Sequence, residues 1–550
     1  MKKRWYAALA IILFAALVLV SDPAYFAGRS ETFAALEPSI STDEERGIAY
    51  FAFGDWGSLT SDALRVSASP WKLSLTALAL QQFDGDLAQL HNFDAADTFR
   101  QFGFHSPETL GNWPAALPRP QWQAPLGQNI GLTHGKVWPT AVTIGNIGCA
   151  GCHSSVMYLA DGSPDTTRVW LGMPNGSINL EAYTTTLFTA MRDFGDPGKM
   201  MAGLDILYPE TTWRERLTLR FFVLPEFRKV VAEREAEIGR LLPFRASLAG
   251  ATNGLDSLKR RLGLIPPGTV LSESIFNSVP DLGGRLWRTK LLNSGSYAIP
   301  GINHARTLER TDINAAHRRG LAGIIAYFTV PSMGVSLEVA ESHIDEGVAI
   351  TAWMQNYTPQ PYPGDLDTTL LPDGRKLYKN GCASCHGSYD DNLETPALIS
   401  FPNWEGDIGT DKKRAQLLSQ QVADAVNGDL FGQYISARTV SGYTAPPLTG
   451  IWASAPYFHN GSVPTLWHLM RPETRPTRFQ VGGHHLDLDY VGLAGRDDGQ
   501  GGWFPEQQPW SIPAEIDTSS FGLSNTGHEE SFNKLSEQDK DALLEYLKLL

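Results

Sequence analysis

Two five-residue stretches carry chemistry in their residue types and spacing: Cys149-Ala150-Gly151-Cys152-His153 and Cys382-Ala383-Ser384-Cys385-His386. Together they use all four cysteines of the 550-residue chain. Cys-x-x-Cys-His is the attachment signature of a c-type haem. Two thiols three positions apart fit one helical turn and can add to the two vinyl groups of one porphyrin. The next residue's imidazole can then bind the iron through Nε2 as the proximal ligand. Two other chemistries use paired cysteines. A redox disulfide leaves the histidine after each pair without a role, and a zinc site must also unite two pairs far apart in the chain. The spacing therefore predicts two covalently attached haem c groups, with Cys149, Cys152, His153, Cys382, Cys385 and His386 as the attachment and iron-binding residues. No cysteine is left for a disulfide, so cofactors and a large core must hold the fold.

The rest of the chain must position these stretches. Hydrophobic residues make up 42% and charged residues 19%, the balance of a well-packed globular protein. The 15 Trp and 35 Pro imply long, ordered, aromatic-rich connections. A net charge of −14 excludes a nucleic-acid partner and favours a basic redox protein or a neutral, apolar substrate. Lys2, Lys3 and Arg4 precede an apolar run over 5–20, the pattern of an export signal. As a helix that run is about 24 Å long, short of the roughly 30 Å hydrocarbon core. No clean Ala-x-Ala site follows, so cleaved signal and retained anchor are both open. Either way the body is expected outside the cytoplasm, in the periplasm or secreted.

The expected fold is mainly α, with two cytochrome c-like haem domains, long irregular connections and little β. Residues 1–27 are read as signal or anchor, 28–265 as an N-terminal haem domain, 266–360 as an inter-haem segment and 361–550 as a C-terminal cytochrome c-like domain. Loops are expected to dominate 28–140, with helical patches such as Trp71–Leu80, and with Trp56, Trp71, Trp113, Trp122 and Trp138 as core or haem-edge packing. Helical spacing is read at 179–192, 315–327 and 337–357. The charged stretch 211–263 reads as solvated surface helices interrupted at Pro225 and Pro243. A helix entering Cys382 and a terminal helix over 535–550, capped by Ser536, frame the second haem unit.

One segment resembles the di-haem cytochrome c peroxidase superfamily, in particular its large branch with the bacterial rubber oxygenases. It runs Ala445-Pro-Pro-Leu-Thr-Gly-Ile-Trp-Ala-Ser-Ala-Pro-Tyr-Phe-His459-Asn-Gly-Ser-Val-Pro-Thr-Leu466, with Phe479-Gln-Val-Gly482 and Asn525-Thr-Gly-His528 after it. The likeness is best over 360–550, looser around Phe53-Gly54 and the first haem motif, and weakest over 270–310. It implies a reactive N-terminal haem with an open sixth position, a six-coordinate C-terminal haem relaying electrons, and a tryptophan between them. Trp287 is the candidate for that tryptophan, with Trp353 and Trp452 as competitors. His528, in a glycine-flanked loop before the terminal helix, is the candidate sixth ligand of the second haem. His459 is expected to contact a propionate, and Met470 is a third choice of ligand.

For the first haem, His134, His304 and His317 could fill the sixth position, and Glu181 or Asp193 could serve as acid, but spacing does not choose among them. Three functions remain open: an enzyme acting on peroxide or dioxygen, with an apolar organic substrate if an oxygenase; a di-haem electron carrier serving another oxidoreductase; and a haem-binding protein without turnover.

Overall fold

The computed structural model describes residues 27–120, 129–238, 248–271 and 275–550. The predicted export or anchor run over 5–20, Trp122 and Pro243 lie outside these. About 42% of the chain is helical and 15% is strand, spread over many small sheets. That corrects the mainly-α expectation of two cytochrome c domains with little β. The connections expected to be irregular are stapled by short ladders. Tyr297–Ala298 pairs with Ser436–Ala437, and Leu308–Glu309 pairs with Leu398–Phe401, so the middle segment is sewn into the C-terminal part. Strands of two to four residues satisfy backbone groups that a loop would otherwise leave to water, yet they are too short to show a period of two.

The N-terminal part departs from expectation in the same sense. Helix Trp71–Gln82 contains the helical patch expected over 71–80, while Asp43–Phe53 is a further helix in a stretch expected to be mostly loops. Strands Leu132–Val137 and Val142–Ile147 form an antiparallel hairpin leading into the first haem motif. Trp56 and Trp71 are buried, as expected, but Trp138 sits on the hairpin tip and is 61% exposed.

Three apolar clusters hold the molecule together. One joins Asp43–Phe53 to helices Ala315–Met333 and Ile344–Asn356. A second packs Trp71–Gln82 against Leu180–Phe194 and Pro197–Leu207. The third contains the crossing of Leu371–Gly381 with Glu537–Leu547, beside a four-stranded sheet that includes Arg478–Val481. At that crossing a Cβ on Gly374 would lie 2.0 Å from the Ala542 carbonyl oxygen, so glycine permits the approach. Ser536 and Asp539 close a capping box at the start of the terminal helix.

Pro225 does not interrupt its helix. Trp213–Thr218 passes through a π turn, Leu219–Val223, straight into Leu224–Ile238. A wide turn just before the proline accommodates the missing N–H and the ring bulk.

Candidate haem centres

The second haem motif is positioned by a helix that ends on it. Leu371–Gly381 runs into Cys382, whose N–H donates to the Tyr378 carbonyl, and Ala383–His386 forms one further turn. The His386 Nδ1 lies 2.8 Å from the Pro446 carbonyl oxygen, which fixes the ring and leaves Nε2 for a metal. Cys382, Cys385 and His386 line a cavity of about 280 Å³ whose walls include Tyr457, Phe458, His459 and His528.

Across this cavity the His386 and His528 ring centroids stand 6.2 Å apart, with 29° between their planes. Two metal–nitrogen bonds of about 2.0 Å, plus about 1.15 Å from each nitrogen to its ring centre, sum to about 6.3 Å. The gap therefore has the width for one iron between two imidazoles. Burial pushes the His528 pKa down to about 3 and lowers that of His386, so both rings are neutral at pH 7, the form that ligates metals. Phe458 and Phe532 flank the His528 ring at 5.9 Å each. His528 itself is held at φ +64°, a region costly for a side-chain-bearing residue.

What holds His528 there is Arg475. Its buried guanidinium donates to the Asn525, Gly527 and Leu469 carbonyls and to Glu529, which in turn accepts the Gly527 N–H. Arg475→Ala leaves these carbonyls unpaired and should destabilise the 525–529 loop by about 1–3 kcal/mol. The expected readout is a high-spin fraction in the second haem's spectrum that cooling reduces.

His459 lines the same cavity. Its ring stacks on Tyr443 at 4.1 Å, and its Nε2 is buried without a hydrogen-bond partner among the described residues. Burial pushes its pKa down to about 3, so it is a neutral polar group awaiting a partner inside the cavity. Met470 is fully buried in the core and does not line the cavity.

The first motif follows the hairpin directly. Gly148 caps the turn Cys149–Cys152, and Asn175 holds it by donating to the Gly151 carbonyl. The His153 Nδ1 lies 3.0 Å from the Pro280 carbonyl, the counterpart of the His386–Pro446 contact. Among the described residues no histidine ring faces His153 as His528 faces His386. His134 stacks on Trp71 at 6.1 Å, the His317 Nε2 is engaged by the Leu286 carbonyl at 2.7 Å, and His304 sits beside Lys290 and Arg438. Asp193 is paired with Arg192 at the surface, and Glu181 lies half-buried in a first helical turn.

The other cysteine chemistries fit poorly. All four thiols are free, and burial raises Cys149 and Cys382 to about 11 and Cys152 to about 12, the opposite of a reactive redox thiol. Among the described residues no three His, Cys, Asp or Glu side chains gather as a metal site.

The two centres meet at a feature that sequence reading missed. Pro280-Asp281-Leu282-Gly283-Gly284 and Pro446-Pro447-Leu448-Thr449-Gly450 share the pattern Pro-x-Leu-x-Gly. Gly284 at φ +69° and Gly450 at φ +75° each open a 3₁₀ turn, Arg285–Trp287 and Ile451–Ala453. A Cβ on Gly284 would lie 2.7 Å from Pro447, and one on Gly450 would lie 2.7 Å from Asp281. Position for position the contacts are reciprocal, as across a two-fold axis. The carbonyls that orient His153 and His386 thus lie on turns packed back to back.

Buried charge gathers at this junction. Asp281 accepts the Gly283 N–H at 2.6 Å and the Tyr357 hydroxyl at 3.2 Å, and burial pushes its pKa up to about 7. Burial also lowers Arg285 to about 10 and Arg288 to about 9. No carboxylate is within ion-pair distance of either guanidinium among the described residues, while Arg285 lines the second cavity. Buried cations of this kind suit the propionates that a haem brings.

Trp287 is half-buried between the first and third apolar clusters. Trp353 packs on Phe51 at 4.6 Å inside the first, and the Trp452 indole donates to the Gln360 carbonyl inside the third. Of the three, Trp287 alone touches both.

Residues 442–480 match the family model described as RoxA-like, cytochrome c-like, so a domain of the kind that binds haem c covalently is present. Two curated relatives, both from Sinorhizobium fredii (strain NBRC 101917 / NGR234), carry the names uncharacterized protein y4iM and uncharacterized protein y4iJ. The first is 31% identical over 216 residues, covering 34% of this chain and 47% of the relative. The second is 28% identical over 249 residues, covering 34% and 40%. The chain spans less than half the length of both.

Proposed function

We propose that this c-type cytochrome oxidoreductase carries two haems outside the cytoplasm, that the N-terminal one reacts with peroxide or dioxygen, and that the C-terminal one relays electrons. The observation that carries the reading is the asymmetry between the two histidines. His386 has an imidazole 6.2 Å away across its cavity, whereas among the described residues no histidine ring stands opposite His153.

When bound, haem supplies electron exchange and, where one axial side is open, the reaction with peroxide or dioxygen. The chain's own residues do the rest. The cysteine pairs anchor, and the Pro280 and Pro446 carbonyls orient each proximal ring and raise its basicity. His459 offers a neutral hydrogen-bonding nitrogen inside the second cavity, and Arg285 and Arg288 supply positive charge at the junction. Trp287, which packs against both clusters, would carry charge from one centre to the other. An organic substrate would be apolar, and a separate redox protein would exchange electrons at the surface.

Haem content and spin state test this reading. The full-length protein should contain two haems per chain, one low-spin and one high-spin or readily opened. Cys149→Ser with Cys152→Ser should lower the count to one, keep the low-spin spectrum and abolish the response to peroxide or dioxygen. Two low-spin haems inert to both oxidants would leave an electron carrier.

A further inference from the structure

Helix 213–223 turns large apolar side chains outward. Trp213, Leu217, Phe221 and Phe222 are 68%, 46%, 60% and 73% exposed. Trp213, Leu217 and Phe221 are four residues apart and share one face, and the π turn sends Phe222 out beside them. The opposite face is anchored. Glu215 is buried, pairs with Lys72 at 2.8 Å and accepts the Thr143 N–H at 3.0 Å. Thr143 lies just past the hairpin tip that exposes Trp138, so both aromatic projections are fixed to one rigid base.

Two arginines stand on this face of a molecule that is acidic overall, with the exposed carboxylates of Glu210 and Glu226 at either end of the stretch. Arg214 lies over the Trp213 ring and Arg220 over the Phe221 ring, at 5.5 and 5.6 Å, with no carboxylate at ion-pair distance among the described residues. Lys136, on the same hairpin as Trp138, is largely exposed and lies 4.0 Å from Glu31. Rings and guanidinium groups offered together are what the interface of an anionic bilayer accommodates.

The path of the chain points the same way. A Cβ on Gly28 would lie 2.9 Å from the Lys136 carbonyl oxygen, and the Gly28 N–H donates to Leu59, so the chain passes beside this hairpin on its way to the segment before Ala27. The apolar run over 5–20 ends seven residues before Ala27, within about 25 Å of extended chain. No helix among the described residues is long and apolar enough to cross a membrane. A membrane holding that run would lie within reach of Trp138, Trp213, Leu217, Phe221 and Phe222.

We propose that this face docks on the anionic lipid surface of the membrane that retains the N-terminal segment, laying the body against the bilayer. Docking would orient both haem centres relative to the membrane.

The test uses full-length holoprotein with a protease site introduced between positions 21 and 26. It is reconstituted into phosphatidylcholine vesicles with and without phosphatidylglycerol, cleaved, and floated. The cleaved body should stay with the phosphatidylglycerol vesicles at low salt and leave at high salt. Trp213→Ser, Phe221→Ser and Phe222→Ser combined should lower its partitioning at least about tenfold, with the Soret spectrum unchanged because these side chains are outside the core. Equal release of the unsubstituted body from both vesicle types would overturn the proposal. So would undiminished binding by the substituted protein, or sedimentation showing that the face is covered by a second copy.

Discussion

Replacing His528 with alanine should convert the second haem from a six-coordinate low-spin centre into a high-spin one that takes up added imidazole. The 6.2 Å between the His386 and His528 rings has the width for one iron and two bonds, so removing one ring would open a ligand-sized position and little else. The flanking Phe458 and Phe532 rings would line that position and cannot ligate. His528→Met should keep six-coordination but raise the midpoint potential, because a thioether disfavours the ferric state relative to imidazole. The rise should be on the order of 0.1–0.3 V within the ~0.8 V that axial ligands command. Magnetic circular dichroism reads the spin state, and a potentiometric titration reads the shift. An unchanged low-spin band in the alanine variant, with no imidazole uptake, would sink the assignment.

How much of this was legible in the sequence follows from the range of the interactions. The Cys-x-x-Cys-His stretches are local chemistry, five residues long, and needed no fold to be read. Ser536 and Asp539 are equally local, since a capping box closes within one turn. His528 was found through its motif, but its 6.2 Å partnership depends on Arg475, fifty residues away, drawing the 525–529 loop together. Nothing in the local pattern of either segment shows that contact. The many two-residue strands escaped because tertiary pairing, not propensity, makes them: Tyr297 and Ala298 are strand residues only because Ser436 and Ala437 are beside them.

The direction of the aromatic side chains on the surface helices is hidden for a related reason. The alternation of Arg with apolar residues over 213–222 fits a half-buried helix, and only the position of Glu215 against Lys72 reveals that the aromatic side faces outward. Trp138 looked like core until the hairpin placed it at a tip. The Pro-x-Leu-x-Gly pair was visible in the sequence all along. Its meaning, two carbonyls on the His153 and His386 rings with the turns interlocked, exists only in three dimensions.

Asp281 sits at that interlock, and its titration should be measurable. Burial raises its pKa from about 3.9 in the unfolded chain to about 7 in the folded one. Between these values the folded protein holds a proton that the unfolded chain has lost, so stability falls as pH rises through the window. The slope is about 1.4 kcal/mol per pH unit, and the cost is complete above pH 7, at about 4 kcal/mol. Buried histidines such as His105 and His484, pushed down to about 4 and about 3, act in the opposite sense below pH 6.5. The diagnostic quantity is therefore the difference between the protein and its Asp281→Asn variant. Asparagine keeps an oxygen for the Gly283 N–H and carries no charge to bury. The variant should exceed the parent in denaturant stability by about 1.5 kcal/mol at pH 5 and by about 4 kcal/mol at pH 8. The same anion lies between the turns that orient both proximal histidines, so its appearance should also lower the haem midpoint potentials as pH rises through 7, by no more than about 59 mV per unit. In Asp281→Asn that slope should flatten. Identical pH dependence of both stability and potential in the two proteins would mean that Asp281 stays ionised throughout, held by Arg285 despite its burial.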